Sequence, residues 1–123
     1  MILIDSYGWL EYFLEGPLAD KYAKYVEEAD ESNCITPTVV VYEVFKRIRC
    51  IQGEQSALEA FSQLTRTKIV ELTSEIALEA AEISLAANLG MADSIVLASA
   101  RAFNAEILTS DKHLKGFKEC KFM

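Results

Sequence analysis

Cations are scarce in this 123-residue chain: twelve lysines and arginines stand against nineteen acids, for a net charge of -7. That balance excludes a protein that meets a polyanion with its whole surface, so a nucleic-acid role would need local basic patches and bound cations. Cysteine is sparse as well. Cys34, Cys50 and Cys120 are odd in number and far apart, no CxxC occurs, and there is a single histidine. Neither a disulfide framework nor a zinc site is supported, and reduced thiols in a cytoplasmic protein are the expectation. No apolar run approaches the ~20 residues that span a bilayer. No basic and then apolar leader precedes the first strand-like residues at Met1, so neither a membrane role nor secretion is expected. Repeats, low-complexity tracts and linkers are missing. At 51 % hydrophobic, the chain can bury one sizeable core but not two, which predicts a single domain over residues 1–123.

What is present alternates. Five short β-branched or apolar stretches, 1–4, 33–36, 68–72, 105–108 and 119–122, are separated by longer stretches of helical composition. This predicts a three-layer α/β/α sandwich around a mainly parallel sheet of four to five strands. Ile76, Ala80, Ile83 and Ala87 recur at helical spacing, with Thr73-Ser74-Glu75 as a cap signal before them and Asn88 to Gly90 as the stop. Residues 93–103 are apolar nearly all round, as in a helix buried against a sheet. In 38–51 the valines favour strand, but Val40, Val44, Ile48 and Ile51 form a helical stripe and Pro37 precedes it, so helix is predicted. Two more helices fit between Trp9 and Asp30, broken at Gly16-Pro17.

The chemically loaded positions are acids at strand-to-helix junctions. Asp5 follows Ile2-Leu3-Ile4 and Asp111 follows Ile107-Leu108-Thr109-Ser110, so both lie at the carboxyl ends of predicted parallel strands, where open α/β sheets bind ligands. Asp93 opens the buried helix and points to the same rim. Singly, Asp5 and Asp93 read better as N-caps and Asp111 as a turn residue. Together they would repel and raise one another's pKa unless a cation lay among them, and Mg²⁺ is the natural occupant. Glu43 joins them if its helix forms. The alternative for Glu43 is a solvated pair with Arg47 one turn on.

Four segments in register resemble the PIN-domain ribonucleases, in particular VapC-type toxins: Ile2-Leu3-Ile4-Asp5-Ser6, Tyr42-Glu43-Val44 after Thr36-Pro37-Thr38, Ala92-Asp93-Ser94-Ile95-Val96-Leu97-Ala98-Ser99-Ala100, and Leu108-Thr109-Ser110-Asp111-Lys112-His113-Leu114. The resemblance covers essentially the whole chain. It implies a metal-dependent endoribonuclease with one or two Mg²⁺ or Mn²⁺ ions in an acidic pocket. By position, Asp5 and Asp93 would be the principal ligands, with Glu43 and Asp111 completing the pocket directly or through water. Thr109 would orient Asp111, and Ser6 would either do the same for Asp5 or cap the helix. Ser94 stands where the family more often has alanine, and Leu114 where an aromatic is frequent. Neither change touches the acids.

The resemblance also implies a homodimer and a cognate antitoxin that blocks the pocket. Trp9, Tyr12, Phe13, Tyr22, Tyr25 and Tyr42 crowd the first third of the chain as ordinary core or as interface. The expected antitoxin site is a groove between the first helices and the helix carrying Glu43. Lys46, Arg47 and Arg49, with Lys112 and Lys115, are the cations available to hold an RNA backbone, and His113 is expected in an exposed loop. Three other readings compete. A receiver-type phosphoacceptor module needs an acid pair after the first strand, and Asp5 has no acidic neighbour. A haloacid-dehalogenase-like phosphatase needs an aspartate where Tyr7 stands. A PIN-fold domain that binds RNA or a partner without cutting would have no need of all four acids.

Overall fold

Ile2-Leu3-Ile4 is apolar at every position, which suits a strand covered on both faces. In the computed structural model, which describes residues 1–123, these residues form β1 (Ile2–Ile4) at the middle of a five-stranded sheet. The other strands are β2 (Cys34–Pro37), β3 (Lys68–Val70), β4 (Glu106–Thr109) and β5 (Cys120–Phe122). The helices are α1 (Ser6–Phe13), α2 (Ala19–Glu28), α3 (Thr38–Gln52), α4 (Glu54–Leu64), α5 (Ser74–Ala87) and α6 (Met91–Ala102). The strand order is β3-β2-β1-β4-β5 and every pairing is parallel, with Leu3 between Ile35 and Ile107. Right-handed crossovers put α1 to α4 on one face and return α5 and α6 across the other. The expected three-layer α/β/α architecture follows.

This order removes the receiver reading, whose sheet runs 2-1-3-4-5. It also fixes where a ligand belongs. The direction of winding reverses between β1 and β4, and such a switch point opens a crevice at the carboxyl ends of those two strands.

Local signals explain most of the helices. The Thr73 hydroxyl accepts from the Ile76 N–H at 3.2 Å to start α5, and Asn88, at φ 54°, ends it in the left-handed conformation. Ile76, Ala80 and Ile83 are buried as expected, but Ala87 is exposed. In α3 the helical stripe prevails over β propensity, burying Val40, Val44 and Ile48, while Ile51 at its end is half exposed. Helix α6 buries every residue from Ser94 to Ala100. It begins at Met91 with Gly90 as N-cap, so Asp93 lies inside the first turn and is not the cap. Ser94 costs little in that interior because its hydroxyl donates to the Gly90 carbonyl at 2.8 Å. Helix α4 is not expressly foreseen. It starts after Gly53, at φ 93°, and buries Ala57, Ala60 and Leu64.

The crowd of aromatics divides. Trp9 and Tyr22 are fully buried, and Trp9 stacks on Phe13 at 5.8 Å, so Trp9 is core and not groove. Tyr42 is exposed. No single helix is long and apolar enough to cross a membrane. The apolar character of α6 goes with its buried position from Ser94 to Ala100.

Candidate functional site

Asp5 directly follows β1 and caps α1, so its backbone is fixed between the two elements. One carboxylate oxygen accepts the Ser6 N–H at 2.8 Å and the other accepts the Thr109 hydroxyl at 2.9 Å. Thr109 ends the neighbouring strand β4, and its Oγ1 also accepts the Asp111 N–H at 3.0 Å. One buried hydroxyl therefore ties the first acid to the backbone of the last. The family resemblance implies a role for Thr109 at Asp111 alone, and the bond to Asp5 across 104 positions adds a second. Ser6 is likewise not the cap. Its hydroxyl lies toward Glu43 and favours that carboxylate's charged form.

Asp93 reaches the same rim from the first turn of α6. The His113 Nδ1 lies 3.1 Å from Asp111 Oδ1 and 3.9 Å from Asp93 Oδ2, and one ligand atom from each of Asp93, Asp111 and His113 falls within 4.8 Å of the others. The His113 side chain is 80 % exposed, as expected for a loop, yet it edges the acids, a proximity that sequence spacing alone does not reveal. Glu43, half-buried on α3, makes no ion pair with Arg47, which removes the solvated-pair reading.

The electrostatics show that these acids share one field. Burial pushes Asp5 from 3.8 to about 6. The Thr109 and Ser6 hydrogen bonds oppose the rise, and Glu43 and Asp111 add to it. Asp93 also rises from 3.8 to about 6, by burial first and then by the charges of Asp111 and Asp5. Glu43 is raised by burial, opposed by the Ser6 hydroxyl, and raised further by Asp93 and Asp111. Tyr22, whose hydroxyl lies 2.7 Å from Ser110 Oγ, is pushed up to about 12 by burial, with Asp5 contributing. Converging carboxylates that raise one another's pKa are a poor arrangement for a metal-free protein. As hard oxygen donors, they fit a small divalent cation.

The expected basic residues divide. Arg47 lines a cavity of about 250 Å³ with Tyr7, Leu10, Glu11, Leu14 and Gly16. The Lys46 ammonium donates to the Tyr42 hydroxyl on the exposed face of α3, and Arg49 lies in that helix's last turn. Neither Lys46 nor Arg49 contacts the acids. Lys112 adjoins Asp111 in the exposed loop after β4.

The family model of the PIN domain matches residues 2–119. No curated protein matches the chain. Among solved structures, the chain is similar to VapC20 of Mycobacterium tuberculosis, described as a sarcin-ricin loop cleaving toxin, at TM-score 0.79 and 16 % identity over 97 % of this chain and 98 % of that one. A toxin-antitoxin complex from Klebsiella pneumoniae gives TM-score 0.78 and 20 % identity, covering 98 % and 96 %. VapBC2 from Rickettsia felis, bound to a promoter DNA fragment, gives 0.77 and 17 %, covering 100 % and 98 %. With a family model spanning nearly every residue and strand ends that gather the acids at one rim, this chain belongs to the PIN domain family.

Proposed function

We propose that the whole chain is one PIN-domain endoribonuclease, the toxin of a toxin-antitoxin pair acting in the cytoplasm, and that Asp5, Glu43, Asp93 and Asp111 hold Mg²⁺ or Mn²⁺. The observation that carries this reading is the shared field of the four acids at the switch point, where burial and mutual repulsion raise Asp5, Glu43 and Asp93 together. When bound, the cation supplies Lewis acidity, water activation near neutral pH and charge compensation at the phosphate. The chain's own residues do the rest. Thr109 keeps one Asp5 oxygen turned and fixes the Asp111 backbone, Ser6 steadies Glu43, and α6 presents Asp93 from a rigid first turn. Lys112 and Lys115, next to the acids in sequence, supply backbone contacts to RNA. Lys46, Arg47 and Arg49 on α3 extend that track.

The purified chain is expected to cleave a mixed structured RNA in Mg²⁺ or Mn²⁺ and to stop in EDTA, losing activity steeply as salt rises. RNA left intact in both Mg²⁺ and Mn²⁺ would sink the reading. It would leave a PIN-fold domain that binds RNA or a partner without cutting.

For the antitoxin we assign the groove where α1 faces α3, lined by Tyr7, Leu10, Leu14 and Arg47. Tyr7→Ala with Arg47→Ala should weaken inhibition by the partner at least tenfold in a folded protein, and unchanged inhibition would remove the assignment. Trp9 is no test of this surface, since truncating a buried tryptophan costs about 3–5 kcal/mol of stability. The homodimer is assigned to α5, where Leu78, Ala81 and Leu85 lie along one exposed side. A monomer in sedimentation at micromolar concentration would exclude it.

A further inference from the structure

Tyr22 stands on α2, away from the four acids in sequence, and is the largest buried side chain that ends in a hydroxyl at their rim. Its ring is seated on Gly8. A Cβ at Gly8 would come 2.6 Å from Tyr22 Cδ1 and 2.8 Å from Ile4 Cγ2, so a glycine there is what lets the ring lie against α1. Gly8 belongs to the arm that carries Asp5, for its N–H donates to the Asp5 carbonyl at 3.0 Å. The other end of Tyr22 belongs to the opposite arm. Its hydroxyl shares a 2.7 Å hydrogen bond with Ser110, 88 positions away. Ser110 lies between Thr109, which holds Asp5, and Asp111. One buried side chain thus spans both strand ends that form the crevice.

We propose that Tyr22 is a positioning residue: seated on the Asp5 arm by its ring and on the Asp111 arm by its hydroxyl, it sets the separation at which the two carboxylates take up a divalent cation. The inference rests on the metal-dependent reading above. Thr109 joins the same arms through the Asp5 side chain itself, whereas Tyr22 joins them through the protein framework behind it. Losing its hydroxyl therefore loosens the frame while removing none of the acids.

The test uses the full chain with Tyr22→Phe, which keeps the ring on Gly8, with Ser110→Ala, and with the double variant. Mn²⁺ binding by calorimetry is expected to weaken about three- to tenfold in either single variant, the scale of one lost hydrogen bond. The double variant should be no worse than either, because both remove the same bond. RNA turnover should show kcat lowered by a similar factor with KM for RNA unchanged. In metal-free protein, exchange of the Asp111 amide should quicken. Should Tyr22→Phe fold poorly, Ser110→Ala carries the same comparisons. Variants that lose Tm but keep wild-type Mn²⁺ affinity and Asp111 exchange would overturn the proposal and leave Tyr22 as core. A wild-type chain that takes up no Mn²⁺ would overturn the functional reading and this proposal with it. Uptake by the wild type that both variants match would overturn the proposal alone.

Discussion

Asp93→Asn is expected to reduce metal-dependent RNA cleavage by about 10³-fold, equivalent to about 4 kcal/mol of lost transition-state stabilisation. The size follows from position. Asp93 lies in the first turn of a helix buried from Ser94 to Ala100, so no backbone shift can bring another carboxylate into its place. It also feels the charges of both Asp111 and Asp5, which places it among the clustered acids and not at their margin. Initial rates on a labelled RNA, with the variant shown to be folded by circular dichroism, measure the effect. Retention within tenfold of wild type would remove Asp93 from the metal centre.

Asp5→Asn is expected to raise the metal-free Tm at pH 7.5 while abolishing activity. The carboxyl ionises near 3.8 in an unfolded chain and near 6 in the folded one, chiefly because burial penalises its charged form. Between those values the folded state keeps a proton that the unfolded state has lost, so stability falls as pH rises. The contribution is fully present below 3.8 and is gone above 6. The span corresponds to about 3 kcal/mol. Asparagine carries no charge and retains an acceptor oxygen, but it gives up one of the two hydrogen bonds to Ser6 and Thr109, about 1 kcal/mol. The net gain is about 2 kcal/mol, or about 5–10 °C in Tm for a chain of this size. The gain should vanish near pH 4, and Mn²⁺ should stabilise the wild type more than the variant. A lower Tm for Asp5→Asn at pH 7.5 in EDTA would contradict this account of the buried acid.

The sequence reads well where one local signal decides. Thr73 and Asn88 bracket α5, Pro37 and the stripe through Ile48 decide α3 against its valines, and the five strands fall within two residues of their places. The acids were legible for the same reason: Asp5 and Asp111 follow apolar runs at strand ends, and a parallel sheet brings all such ends to one rim. What was not legible depends on partners far away in sequence. Nothing around Thr109 says that its hydroxyl turns to Asp5, and nothing around Tyr22 says that it ends on Ser110. Trp9 was ambiguous because a tryptophan suits a core and an interface equally well, and only the packing of α1 puts it inside. The start of α6 was placed late because Gly90 caps it through backbone geometry without a side-chain bond.

The central pairing of β1 with β4 has a consequence for folding. Strands Ile2–Ile4 and Glu106–Thr109 are neighbours in the sheet but far apart along the chain, and Asp5 meets Thr109 across 104 positions. Such distant pairings form late, after the intervening chain is available to close the loop. A polypeptide still short of β4 already contains Asp5, Glu43 and Asp93, yet lacks the Thr109 hydroxyl that turns the second oxygen of Asp5. The acidic rim is therefore completed only once β4 is available to pair, and a chain cut before Glu106 would carry three of the acids without their frame.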